Sequence, residues 1–306
     1  MKPIQSVYIS GLGAIGSAYA AKLFEMNPAC VKVIVDTERK KRYSKDGITV
    51  NDTAYAFDYI VPEDDVTPAD LIIIAVKQHH LEESIKSVQK FIAEDTIILS
   101  LLNGISSEEI LGKVFGTEKL LYSYVVGTDA VRETTNTHYS KIGQIVFGEP
   151  KNTCLSPKVA AVKELFEKAG IPYSIPEDML RSQWWKFMLN VGINQVSAIL
   201  RAPYAVFQHP GEALELMKLA SREVVALSQK KGINLKEEDI EEYVRVIKTL
   251  SPGGKTSMLQ DVEAGRKTEV EIFSGTVIEL GQQYGVPTPV NDVLFKLIRS
   301  IEQLNT

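Results

Sequence analysis

Six residues near the start of the chain, Gly11-Leu12-Gly13-Ala14-Ile15-Gly16, decide what the first part of it can become. They follow directly on the apolar run Val7 to Ser10 and open directly into the helical pattern Ala14 to Met26. In such a strand–turn–helix the first glycine permits a tight turn. The second lets backbone N–H groups approach a pyrophosphate, and the third lets helix and strand pack closely. The helix N-terminus then attracts negative charge. The turn therefore predicts a dinucleotide-binding βαβ unit, with Gly11, Leu12, Gly13, Ala14, Ile15 and Gly16 around the phosphates.

The rest of the first half repeats the pattern. Val31 to Val35, Leu71 to Val76 and Thr96 to Leu101 read as buried strands, and Leu81 to Ile92 as a helix. Ser106 to Glu109 reads as a capping box opening a helix toward Phe115. Leu120 to Gly127 and Lys141 to Phe147 add strands, Pro157 to Ala169 a helix, and the region of Tyr173 a last short strand. Beyond Pro176 the β-branched runs stop. Helical patterns follow at Met179 to Leu200, Pro210 to Lys231, Lys236 to Leu250, Thr268 to Tyr284 and Pro289 to Leu304. A chain of 306 residues exceeds what one core usually serves. The expected architecture is α/β: an N-terminal Rossmann-type doubly wound sheet in a dinucleotide-binding domain, residues 1–176, and an all-helical substrate and catalytic domain, residues 177–306.

Bulk properties narrow the partners. The net charge of −5, with Lys and Arg spread along the chain, argues against nucleic acid. Met1 to Ser10 is too short an apolar run for a signal peptide, and Ser182 to Leu200 is interrupted by Gln183, Lys186, Asn190, Asn194 and Gln195, so no membrane span is expected. Two distant cysteines, Cys30 and Cys154, indicate neither a disulfide framework nor a zinc site, and the four histidines have no metal-ligand spacing. A cytoplasmic protein without a metal is expected.

Ligands of doubly wound sheets sit beyond the carboxyl ends of the strands. Asp36 ends the second strand, twenty positions after Gly16, where an acidic side chain accepts from ribose hydroxyls and favours NAD. The basic run Arg39, Lys40, Lys41 and Arg42 follows at once and would suit the 2′-phosphate of NADP, so both cofactors stay open. Asp36 also suits a plain turn, and the basic run a solvated helix face. Lys77 and Asn103-Gly104 close two further strands, where ribose and nicotinamide would lie.

The sharpest feature of the second half is an apolar helix with a thin polar stripe. Between Arg181 and Arg201 the only formal charge is Lys186, and Lys186, Asn190 and Asn194 recur every four residues. Each is turned by about 40° from the last, so they form one row. A solvent face would carry several charges of both signs. One lysine and two amides fit the wall of a polar cavity, because burying them unpaired costs several kcal/mol each. Desolvation lowers the pKa of such an ammonium unless a carboxylate offsets it, which suits a general acid that protonates a carbonyl oxygen as hydride reaches its carbon. Ser257 would bind a substrate carboxylate, and Glu269 would accept from a substrate hydroxyl or orient Lys186. Both also suit helix capping.

Taken in order, Gly11-x-Gly13-x-x-Gly16, Lys77, Asn103-Gly104, Trp185-Lys186-x-x-x-Asn190-x-x-x-Asn194, Ser257-Met258-x-Gln260-Asp261 and Thr268-Glu269 resemble the ketopantoate reductase family (2-dehydropantoate 2-reductase) over nearly the whole chain. The resemblance implies NADPH-dependent reduction of ketopantoate to pantoate in pantothenate biosynthesis. It implies Lys186 as general acid and Glu269 on the substrate hydroxyl, Asn190, Asn194 and Ser257 on substrate, and Lys77 and Asn103 on cofactor, with Asn103 helping to position both ligands. Three positions depart from the family pattern: Asp36 stands where many members carry a basic residue, His80 where a glutamine often follows the lysine, and Ser274-Gly275 where Asn-Gly is common. Some relatives look like NAD-dependent D-2-hydroxyacid dehydrogenases, which makes that activity the alternative. A non-catalytic dinucleotide sensor is the reading from another class. The expected partner is a small 2-oxo acid, and the expected assembly is a monomer or homodimer.

Overall fold

A computed structural model of the chain describes residues 2–304; the outer limits of the two expected domains, residues 1 and 306, lie outside them. The chain divides into two compact units. One takes in the chain through Asn103 with Ser107–Met179, the other Gly104–Ser106 with the chain from Leu180 on.

The first unit runs β1 (Val7–Ser10), α1 (Ala14–Met26), β2 (Val31–Ile34), α2 (Thr37–Asp46), β3 (Ile48–Val50), β4 (Thr53–Tyr55), β5 (Asp58–Ile60), β6 (Leu71–Ile74), α3 (Leu81–Val88), β7 (Ile97–Ser100), α4 (Ser107–Phe115), β8 (Leu120–Val126), β9 (Val131–Glu133), β10 (Asn136–His138), β11 (Gln144–Gly148), α5 (Pro157–Lys168) and β12 (Tyr173–Ser174). Its main sheet has eight strands in the order β12-β11-β8-β7-β6-β1-β2-β5. All are parallel except β11 and β12, which join through the antiparallel pair β11–β8. The strand order reverses between β1 and β6, where Val7 to Ser10 lie in register with Leu71 to Ile74. Both faces of the central strands are covered, so their side chains alternate between two cores: Val7, Ile9, Leu71 and Ile73 face one, Tyr8, Ile72 and Ile74 the other.

A second, four-stranded sheet, β4-β3-β10-β9, is absent from the expectations drawn from sequence. Its strands are three residues long, and β4, β9 and β10 each expose two of them, so they carry little hydrophobic period. The β3–β4 hairpin turns on Asn51 and Asp52, both with positive φ (47° and 63°), as a two-residue turn requires.

The second unit contains α6 (Met179–Leu200), α7 (Glu212–Lys230), α8 (Glu237–Ile247), α9 (Ser257–Glu263), α10 (Ser274–Tyr284) and α11 (Pro289–Leu304). Two expectations are corrected here. The helix expected from Thr268 to Tyr284 is broken: Thr268 donates through both N–H and hydroxyl to Glu302 Oε1 (2.8 and 2.7 Å), a 3-10 turn covers Val270–Ile272, and α10 starts only at Ser274. Conversely, Ser257 opens the separate helix α9, whose N-cap is Thr256; the Thr256 hydroxyl accepts from Leu259 N–H at 3.2 Å. Among the described residues no helix is long and apolar enough to cross a membrane.

A buried polar knot ties this unit together. The Glu223 carboxylate of α7 accepts from the main-chain N–H groups of Val290 and Asn291, which open α11, and from Asn291 Nδ2 (2.8, 3.0 and 2.7 Å). Asn291 Oδ1 in turn accepts from Ser274 on α10 and, at 3.4 Å, from Gln195 on α6. Four helices thus meet on one fully buried amide. Asn291→Leu would strip the Glu223 carboxylate of one donor and take the acceptor from the Ser274 hydroxyl, while Gln195 Nε2 keeps the Val191 carbonyl, at a cost of about 3 kcal/mol. Both tryptophans, Trp184 and Trp185, lie on α6, so the loss should appear as a lower urea midpoint in tryptophan fluorescence. An unchanged midpoint would count against the knot.

Candidate active site

The glycine turn has the geometry its spacing predicts. Gly11 has φ +100°, and a Cβ on it would lie 2.7 Å from the Ala75 carbonyl oxygen. A Cβ on Gly16 would lie 1.8 Å from the Gly11 carbonyl oxygen, so helix and turn approach as only glycine allows. Gly13 differs. It is the N-cap of α1, supplies no side-chain cap, and a Cβ there would meet only Ala75 O, at 3.9 Å. The first turn of α1 has no acidic residue, so its amides point into space that suits an anion. Lys77 and Asn103 each lie three residues past the ends of β6 and β7; β6 pairs with β1, and β7 is the next strand out. The turn, the lysine and the amide therefore follow three neighbouring parallel strands at one edge of the sheet. Both side chains are half-buried.

Asp36 is the N-cap of α2: its carboxylate accepts from Arg39 N–H at 2.6 Å and pairs with the Arg39 guanidinium at 3.2 Å. Lys40 pairs with Asp64 at 2.8 Å, and the Arg42 guanidinium lies over the Tyr43 ring, 5.1 Å from its centroid. Asp36 and Arg39, which point to different cofactors when read from sequence, are thus partners of each other.

In the second unit the polar stripe of α6 is a connected chain. Lys186 Nζ donates to Asn190 Oδ1 (3.1 Å), and Asn194 Nδ2 donates to the same oxygen (3.3 Å). Asn194 Oδ1 accepts from the Ser257 hydroxyl (3.2 Å) and from Met258 N–H (3.4 Å). Asn190 and Asn194 are only 6% and 5% exposed, which rules out a solvent face. Every residue from Asn190 to Ala198 is buried. Lys186 itself is half-buried, and desolvation pushes its pKa down to about 8. Glu269, half-buried, heads the 3-10 turn Val270–Ile272. Two groups escaped the sequence reading: the Met258 main-chain amide, and the Thr256 hydroxyl, which donates to Ser197 Oγ on α6 at 3.2 Å. A Thr-Ser pair ahead of a short apolar run is the cap signal that would have shown α9.

The class that this fold and these groups define is the nicotinamide-dinucleotide-dependent oxidoreductases acting on a CH–OH group. Family models agree in detail: Ketopantoate reductase PanE/ApbA matches residues 7–152, and Ketopantoate reductase PanE/ApbA C terminal matches residues 178–302. The chain belongs to the ketopantoate reductase family. It is 27% identical over 307 residues to the 2-dehydropantoate 2-reductase of Aquifex aeolicus, covering 99% of this chain and 98% of the relative. Among solved structures, D-mandelate dehydrogenase with NADH and anilino(oxo)acetate matches with TM-score 0.86 at 24% identity over 98% of this chain and 99% of the other. The dimeric ketopantoate reductase from Staphylococcus aureus matches with TM-score 0.82 at 21% identity over 98% and 100%.

The glycine turn yields a paired expectation. Gly13→Ala should leave stability within about 0.5 kcal/mol, since the methyl meets nothing closer than 3.9 Å, yet weaken dinucleotide binding at least ~10-fold by standing where the phosphates approach. Gly16→Ala should damage folding itself. Thermal melts with calorimetric titration of the cofactor separate the two, and unaltered binding by the Gly13 variant would place the dinucleotide elsewhere.

Proposed function

We propose that this chain is a 2-oxo acid reductase of the 2-dehydropantoate 2-reductase type, converting ketopantoate to pantoate with Lys186 as the proton donor. The observation that carries the reading is the half-buried Lys186 ammonium, the one formal charge between Arg181 and Arg201, held by Asn190 and brought by burial to a pKa of about 8. Such an amine is protonated at neutral pH and gives up its proton readily.

Residues 1–176 would hold the dinucleotide: the turn Gly11 to Gly16 and the first turn of α1 receive the pyrophosphate, with Lys77 and Asn103 contributing from neighbouring strand ends. The uncapped start of α1 and the close Gly11–Gly16 approach fit that group. When bound, the nicotinamide ring supplies hydride chemistry. Residues 177–306 would hold the 2-oxo acid: Asn190, Asn194 and Ser257 orient it, and Glu269 accepts from its hydroxyl, with Asn103 proposed as a further substrate contact. Negative charge growing on the keto oxygen meets Lys186, which stabilises it and delivers the proton from Nζ. Cys30 and Cys154 are both free thiols, which suits a reducing cytoplasm.

Asp36 favours a second reading, an NADH-linked D-2-hydroxyacid dehydrogenase acting on other 2-oxo acids, because a carboxylate at the end of β2 repels a 2′-phosphate and Arg39 is already paired with it. In the first reading the 2′-phosphate of NADPH would take Arg39 over from Asp36. Steady-state rates with NADPH and NADH on ketopantoate and on branched or aromatic 2-oxo acids decide between them. Preference for NADH with no turnover of ketopantoate would establish the second.

The proton-donor role has its own test. Reduction needs the ammonium, so its rate should fall as pH rises through about 8, while oxidation of the hydroxy acid, which needs the neutral amine, should rise over the same range. Lys186→Ala should cost at least ~100-fold in turnover and abolish that limb of the profile. A variant that keeps its rate would remove the mechanism.

A further inference from the structure

The hydrogen bonds along α6 have a direction, and that direction is imposed from outside the helix. A main-chain N–H can only donate, so Met258 N–H, at 3.4 Å, requires an oxygen at the facing atom of Asn194. The Ser257 hydroxyl donates to the same atom at 3.2 Å. With Oδ1 committed to α9, Asn194 turns its Nδ2 toward Asn190 at 3.3 Å, and Asn190 must answer with its own Oδ1. That oxygen is the atom that accepts from Lys186 Nζ at 3.1 Å. α9 is held in place independently, since Thr256 both caps it and donates to Ser197, three residues beyond Asn194 on α6.

We infer that Asn194 is a positioning residue: anchored by the Met258 main-chain amide, it locks the carbonyl of Asn190 toward the Lys186 amine. The inference rests on the reading of Lys186 as proton donor and extends it. Both lone pairs of Asn190 Oδ1 are taken, so that oxygen is closed to a further donor.

On α7, α8 and α9, Asp261 pairs with Arg266, Glu263 pairs with Lys255, Glu223 accepts from the amides opening α11, and the Tyr243 hydroxyl donates to the Leu189 carbonyl. Glu269 is the further carboxylate whose charge a titration of Lys186 must allow for.

The test follows the Lys186 side chain itself, in protein carrying 13C-labelled lysine, with its signal assigned by its loss in Lys186→Arg. An acceptor fixed on the ammonium favours the charged form. Asn194→Leu frees Asn190 to rotate, so the Lys186 titration midpoint should fall by about 0.5 or more in pH. Ser257→Ala keeps the Met258 anchor and should leave the midpoint in place. The Asn194→Leu shift should persist in a Glu269→Gln background. A midpoint unmoved by Asn194→Leu in folded protein overturns the inference, as does an equal shift from Ser257→Ala. Should Asn194→Leu fail to fold, Asn194→Ala decides: it too removes the donor to Asn190 and adds no charge, so the midpoint should fall by about 0.5 or more, and an unmoved midpoint overturns the inference. These readings need no turnover, so an inactive wild-type protein would sink the reductase reading while leaving the positioning role standing.

Discussion

A helix buried on nearly every side carries polar groups at a cost unless each meets a partner, and α6, Gln195 Oε1 apart, is organised by that requirement. Leaving an amide unpaired in such surroundings costs several kcal/mol, more than most single contacts return. Asn190 and Asn194 escape the cost by bonding to each other, to Lys186 and to α9. On the same helix, Gln195 reaches the Asn291 knot that gathers α7, α10 and α11. The helix that bears the candidate proton donor is therefore also one around which its unit is assembled.

The first unit obeys a different constraint, the close approach of two backbone segments. The Gly11 carbonyl sits where any side chain on Gly16 would have to go, and Gly11 itself crowds Ala75 at the end of β6. The turn can therefore form at the reversal of strand order, where the amides of α1 open toward a ligand. Asp36 shows how capping and recognition compete for one side chain: the carboxylate that would meet a ribose also starts α2 and neutralises Arg39. Cofactor preference depends on which of these bonds gives way.

Much of this was legible in the residues. Buried parallel strands such as Leu71–Ile74 announce themselves as unbroken apolar runs because both faces are covered, and α1, α6 and α11 keep the limits their periodicity predicts. The small sheet was not legible. Its two local hairpins are joined by pairing between segments more than eighty residues apart, such as Asn136 with Thr49, and such pairing leaves no local period. Nor was the break before α10, where the Thr268 hydroxyl turns to Glu302 on another helix instead of continuing the pattern.

The sequence by itself determined the glycine turn, the change from α/β to helical architecture, and the spacing that places one lysine and two amides in a row. These depend on steric demands and on helical period, both of which act over a few residues. The tertiary structure alone decided which way each amide faces, that the Asp36 carboxylate starts a helix, and how far the lysine's charge is desolvated. Hydrogen-bond direction and burial are set by whatever atoms fold back onto a site. For Asn194 the deciding atom is an amide 64 residues further along the chain.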